Sequence, residues 1–162
     1  QKGEKMILFT RNRLEMLELE LAIMAYGGIA VPIFAHFKQD TAELLINHSD
    51  SAWMAVAGQE QMNNLGGGLK QLKSIFHFDE VNDNRYNNLV PFSELLKDIP
   101  VDEKSCFDDT INGDDICLNM YNGYSKMCAI NTQKYLISTS SFRNCLGCYR
   151  TRSFFSLFAL AP

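Results

Sequence analysis

The sequence predicts an α/β fold, a parallel sheet with helices on both of its faces. Three observations carry that prediction. Apolar runs of strand length recur at Met6-Ile7-Leu8-Phe9, Ile29-Ala30-Val31-Pro32-Ile33-Phe34 and Ala52-Trp53-Met54-Ala55-Val56-Ala57. The segments between them carry helical spacing, and helix start and stop signals stand at their ends. Strands separated by helices of about ten residues pair in parallel through right-handed crossovers.

The elements follow in order. After the first strand, Asn12 stands where a side chain caps the first amides of a helix, with Glu15 three residues on, as in a capping box. The helix is expected from near Arg13 to about Tyr26, with Leu14, Leu17, Leu21 and Met24 as its buried stripe and Gly27-Gly28 as its left-handed stop. Pro32 lacks an amide, so in the second strand it belongs at an end, an edge or a bulge. Asp40-Thr41-Ala42-Glu43 repeats the capping box, and the second helix runs to Asn47-His48-Ser49. Beyond the third strand, Met62, Leu65, Leu69 and Leu72 fit a helix that Gly66-Gly67-Gly68 splits. Leu72 to Asp79 ends in a fourth strand, and Pro91 to Leu96 reads as a short final helix, giving the order βαβαβαβ.

Length and charge bound the function. The 162 residues fit one domain, and 46% hydrophobic with 21% charged residues is the balance of a folded chain. Fifteen Lys and Arg against 19 Asp and Glu, a net charge of -4, give no electrostatic footprint for nucleic acid and disfavour anionic membrane surfaces. No apolar run approaches the ~18 residues that cross a bilayer. The start, Gln1-Lys2-Gly3-Glu4-Lys5, has neither an initiator Met nor a secretory apolar stretch, so a piece of a longer, cytoplasmic protein is expected.

Residues 1–105 carry the α/β pattern. From residue 106 the periodicity fails, and an irregular tail is expected. All five cysteines, Cys106, Cys117, Cys128, Cys145 and Cys148, fall there. Cys145-Leu-Gly-Cys148 has the spacing of half a zinc site, but His36, His48 and His77 lie far upstream, so free thiols are expected and no metal site. Gly66-Gly67-Gly68 does not join a strand to a helix as phosphate loops do, and reads as a flexible break. Asp108, Asp109, Asp114 and Asp115 lack the alternation of a calcium loop and read as a solvated acidic stretch.

Several blocks in register carry a resemblance. Phe9-Thr10-Arg11-Asn12-Arg13-Leu14-Glu15-Met16, the stretch Leu21 to Phe34, Ala42 to Ser49, Val56 to Gln61 and Leu72 to Asp79 together resemble the N-terminal region of long-chain fatty acid CoA ligases, in the AMP-forming adenylating superfamily. Leu14 and Met16 stand where that family usually has Pro and Trp. The resemblance implies an enzyme that makes an acyl-adenylate from ATP and a fatty acid, with Mg²⁺, and passes the acyl group to CoA. The intact enzyme would be cytoplasmic or associated with a membrane. The resemblance also implies a phosphate loop, Y-T-S-G-T-T-G-x-P-K-G-V, after a D-D pair, since a triphosphate needs converging donors and a positive charge. Here Asp114-Asp115 are followed by Ile116 to Lys126, in which Tyr121, Gly123, Ser125 and Lys126 echo the loop. Gly123, Ser125 and Lys126 are the candidate phosphate contacts, and no catalytic residue is assigned.

A shift of reading frame would account for the departure. With the first base of its Tyr121 codon dropped, the stretch Tyr121 to Lys126 permits T-T-G-I-Q-K, and Ile130 to Tyr135 in that frame permits L-T-H-K-N-I, which echo the family's loop and the segment after it. Residues 106–162 are therefore expected to be a degenerate phosphate-loop region and the chain to be inactive alone. The competing readings are a non-catalytic flavodoxin-like binding module, which would show a carboxylate cluster or a phosphate turn at the strand ends, and a gene product without function.

Overall fold

The computed structural model describes residues 2–69, 71–95, 111–121 and 127–131. Their strands are β1 (Lys5–Thr10), β2 (Ile29–Phe34), β3 (Trp53–Val56), β4 (Ser74–His77), β5 (Leu89–Pro91), β6 (Ile116–Tyr121) and β7 (Met127–Asn131). They form one seven-stranded sheet in the order β5-β4-β3-β1-β2-β6-β7. Every neighbouring pair is parallel except β6 with β7. The helices are α1 (Leu14–Ala25), α2 (Gln39–Ser49), α3 (Gln59–Asn63) and α4 (Phe92–Leu95).

Side chains alternate across the pleat and sort into two cores. Ile7 and Phe9 of β1 join Val31, Ile33, Met54, Val56 and Ile75 beneath α2 and α3. Leu8 joins Ala30, Ala55 and Phe76 on the opposite face, where Met16, Leu19 and Ile23 of α1 and Leu95 of α4 pack. Helices thus cover both faces, as the sequence pattern requires.

α2 is a one-sided helix: Ala42, Leu45, Ile46 and Ser49 are buried, at the spacing of a single stripe. Its end is fixed by Asp50 at φ 53°, which accepts the left-handed turn that Asp tolerates. α1 ends at Gly27, at φ 72°. Gly28 lies so close to the helix that a Cβ there would meet Ile23 Cγ2 at 2.8 Å, which only glycine allows.

The structure corrects several local expectations. Neither capping box forms. α1 begins after Arg13, with no side-chain cap, and Glu15 pairs with the Arg13 guanidinium instead. α2 begins two residues early, at Gln39, with Lys38 in the cap position expected for Asp40. Glu43 does not turn back to a cap; it accepts the amide of Gly66, twenty-three residues downstream. The expected stripe Leu14, Leu17, Leu21 and Met24 is not the buried one: α1 is rotated so that Met16, Leu19 and Ile23 meet the sheet, Met24 at their margin, and Leu14 is 53% exposed. The expected helix through Leu72 stops at Asn63. Leu65, Leu69 and Leu72 are nonetheless buried, as anchors of a loop that Arg85 and Tyr86 clamp through the carbonyls of Met62, Leu65 and Gly66.

Pro32 stands inside β2, opposite Leu8 of β1. β2 and β6 pair in register only at Ala30 and Leu118, so the ladder on that side requires no amide at Pro32. β5, β6 and β7 were not anticipated. Short or irregularly patterned strands leave little periodicity to read, and a register shift between Ile116 and Leu118 breaks the alternation of β6.

Candidate functional site

In an open parallel sheet a ligand crevice forms beyond the carboxyl ends of the strands, where neighbouring crossovers leave on opposite faces. β1 lies between β2 and β3, and the two crossovers that reach them use α1 on one face and α2 on the other. The switch point is therefore between β1 and β3. A crevice of about 480 Å³ opens there, lined by Arg11 to Arg13 after β1, Ala57 to Gln61 after β3, and Asp79 and Glu80 after β4. The sequence reading passed over it, although strand order together with the polar residues just past each strand would have located it.

Its arginines are already paired. Arg11 Nη2 donates to Glu60 Oε2, and His36 Nδ1 lies 3.4 Å from the other oxygen of the same carboxylate. Arg13 donates to Glu15 through Nε and Nη2 and to Asp79 Oδ2 through Nη1, each at 2.9 Å. The Arg13 guanidinium holds the Glu15 carboxyl down at about 2. It also lies 5.1 Å from the centre of the Phe78 ring. Glu60 and Asp79 stand past the ends of β3 and β4, Glu60 paired with Arg11 and Asp79 with Arg13, which also holds Glu15 of α1, and they do not converge into the carboxylate cluster a flavodoxin-like module would show. A phosphate entering here would have to displace a carboxylate from Arg11 or Arg13.

The second candidate region is the β6–β7 hairpin. Tyr121, the last residue of β6, is paired with Met127, the first of β7. Its hydroxyl donates to Leu45 O at 3.2 Å and lies 3.1 Å from His48 Nδ1, so the strand end is tied to the last turn of α2. Burial pushes the Tyr121 phenol up, which keeps it a donor. Asn119 is 3% exposed, and its Oδ1 has no hydrogen-bond partner among the described residues. Gly123, Ser125 and Lys126 lie in the connection between Tyr121 and Met127, outside the described residues, as do Asp108, Asp109, Cys106, Cys145 and Cys148.

The remaining candidates have structural tasks. The Gly66 amide already donates to the Glu43 carboxylate and so is not open to a phosphate. Asp115 pairs with Lys2 at 2.7 Å and accepts the Asn112 amide. His77 Nδ1 meets Asp79 O at 2.9 Å. Cys117 is buried, with its Sγ 3.6 Å from Ile130 O, and Cys128 is exposed. Among the described residues no group of three or more His, Cys, Asp or Glu converges to hold a metal ion. No helix among them is long and apolar enough to cross a membrane.

Residues 1–153 match a protein-family model described as AMP-binding enzyme. None of the curated proteins matches the sequence. Among solved structures, the chain is similar to the anthranilate CoA ligase AuaEII in complex with anthranoyl-AMP, with a TM-score of 0.72 and 19% identity over 86% of this chain and 27% of that one. It is similar to a Brucella canis acyl-CoA synthetase, with a TM-score of 0.71 and 12% identity over 88% of this chain and 26% of that one. A long-chain-fatty-acid-CoA ligase from Archaeoglobus fulgidus gives a TM-score of 0.65 and 18% identity over 82% of this chain and 26% of that one. At these identities the likeness is one of fold, and the chain spans about a quarter of the length of each of these structures.

Proposed function

Because the chain belongs to the AMP-binding enzyme family, we propose that it is the N-terminal part of a ligase that activates a long-chain fatty acid. In that reaction a carboxylate oxygen attacks the α-phosphorus of ATP and pyrophosphate leaves. The CoA sulfur then attacks the acyl carbon, and AMP leaves. The observation that carries this reading is the span of the family match: it runs from β1 past the β6–β7 hairpin, and so includes the place where, by resemblance, the ATP phosphates are held. The ligase resemblance of the blocks between residues 3 and 80 supports a fatty acid as the acyl substrate.

Mg²⁺, where it binds, would neutralise phosphate charge. The described residues do not supply its ligands, and the arginines nearest the sheet's switch point are committed to carboxylates. Gly123, Ser125 and Lys126 are the residues we assign to the phosphates, three donors where the family's loop offers many more. We infer that residues 106–162 are a degenerate phosphate-loop region and that this chain is inactive alone. Its place is the cytoplasm or the cytoplasmic face of a membrane, where ATP is available.

ATP–pyrophosphate exchange with palmitate tests both parts. This chain should give no exchange above a protein-free blank, and robust exchange would overturn its inactivity. A full-length chain with the shifted frame restored should exchange with palmitate far faster than with acetate or anthranilate. Exchange restricted to those short or aromatic acids would overturn the substrate class. Coding DNA with a stop or unrelated residues in the shifted frame beyond codon 117 would remove the frame explanation.

A further inference from the structure

A helix in water needs roughly 12 residues before its own hydrogen bonds sustain it, so α3, with five, exists only because other groups grip it. The grip comes from the stretch after β4. Asn82 N donates to Gln59 Oε1 at 2.8 Å, at the start of the helix. At its other end Arg85 donates through Nη2 to Met62 O at 2.7 Å and through Nη1 to Leu65 O, and the Tyr86 hydroxyl donates to Gly66 O. Carbonyls that a longer helix would satisfy internally are satisfied here by one guanidinium.

Arg85 is itself aimed by a neighbour. Asp83, with a side chain only 4% exposed, accepts the Arg85 backbone amide at 2.9 Å and Nε at 2.9 Å through Oδ1, and it takes the guanidinium at a second oxygen. A carboxylate that holds the fork at two points fixes its plane, which turns Arg85 onto both carbonyls. Beyond Gly66 the hold weakens. A Cβ added at Gly67 or Gly68 would meet nothing within 4 Å, so the chain can pivot there. What the segment covers is apolar: Met62, Leu65 and Leu69 are exposed by 2% or less and share one core with Ala42, Leu45 and Ile75.

We propose that residues 59–69 form a flap and that the Asp83–Arg85 pair is its latch: with Arg85 released, the flap lifts off that core as a unit while the parallel sheet stays folded. Proteins open in such cooperative pieces where few bonds hold a segment. The opening reaches the switch-point crevice, because Gln59, Glu60 and Gln61 of the flap line it. Lifting the flap withdraws Glu60 from Arg11. The latch thus decides, from the far end of α3, whether Arg11 faces a carboxylate or an open crevice.

Hydrogen exchange of the full chain, read by mass spectrometry on a peptide covering 59–69 and on peptides from β1 and β3, tests the latch. In the wild type the flap should exchange roughly tenfold faster than β1 and β3. Arg85→Met keeps the apolar stem and removes the guanidinium, so it should speed flap exchange by roughly another tenfold and leave β1 and β3 unchanged. Asp83→Asn should act in the same direction and less, since the guanidinium keeps its carbonyls and loses its aim. Gly67→Ala with Gly68→Ala should slow flap exchange about threefold, because alanine restricts the open segment more than the closed one. A flap that exchanges with β1 and β3 in the wild type, or an Arg85→Met change that speeds every peptide alike or none, would overturn the proposal. Should Arg85→Met fail to fold, the other two variants decide: flap exchange unmoved by both overturns the latch.

Discussion

The two faces of the sheet are built to different degrees of completeness. On the α2 face, Ile7, Phe9, Leu45, Ile46, Met54 and Met62 are all buried to 2% exposure or less. On the α1 face the strands are equally buried, at Leu8, Ala30 and Ala55, but the helix above them has no buried residue. The difference follows from the helices. α2 has one apolar stripe, which the sheet satisfies, whereas α1 has more apolar surface than one sheet can cover. A face closed by a one-sided helix is finished; a face closed by α1 expects another layer.

The largest test of that comparison is a pair of truncations. Leu45→Ala, beneath α2, should cost about 3 kcal/mol in urea unfolding, the sum of lost transfer free energy and a cavity that packed neighbours cannot fill. Ile23→Ala, on α1, should cost about 1 kcal/mol, because that side chain already gives up part of its area to solvent. Equal losses would show that the α1 face is as well packed as the other, and the asymmetry would be gone.

A smaller test concerns the strand at the far side of the sheet. Asn119 is buried on β6 with its Oδ1 unpaired among the described residues, and an unsatisfied buried acceptor costs about 1 kcal/mol or more. Asn119→Val has the β-branched shape that a strand favours and removes the orphan group, so it should raise stability by about 1 kcal/mol, read in the same urea experiment. A loss instead would mean that Asn119 is satisfied by a contact beyond the described residues. A gain would mark β6 as a strand whose sequence fits its site less well than that of β1.

That contrast also explains what could be read from the residues alone. β1, β2 and β3 are unbroken apolar runs, as strands buried on both faces must be, and Gly27 gives an unambiguous stop to α1, so the parallel core was legible. α1 was legible as a helix but not in its orientation, since Leu14, Leu17 and Leu21 make as good a stripe as Met16, Leu19 and Ile23. The capping boxes failed because other partners competed: Arg13, a local neighbour, took Glu15, and the distant Gly66 amide took Glu43. The crevice of Arg11, Arg13, Glu60 and Asp79 draws on three strand ends far apart in the chain, so no local motif could announce it. β6 and β7 carry a register shift and an exposed edge in place of a period.

The smallest effect expected is the most specific to the α1 face. Burial alone raises the Glu20 carboxyl above its ordinary 4.5, so the folded state holds that proton more tightly than the unfolded chain does. Its contribution to stability is therefore fully present below the unfolded value and is lost as pH rises through the raised one. Glu20→Gln should accordingly raise the melting temperature slightly at pH 7 and leave it unchanged near pH 3. An equal effect of the substitution at pH 3 and at pH 7 would show that burial does not act on the Glu20 carboxyl.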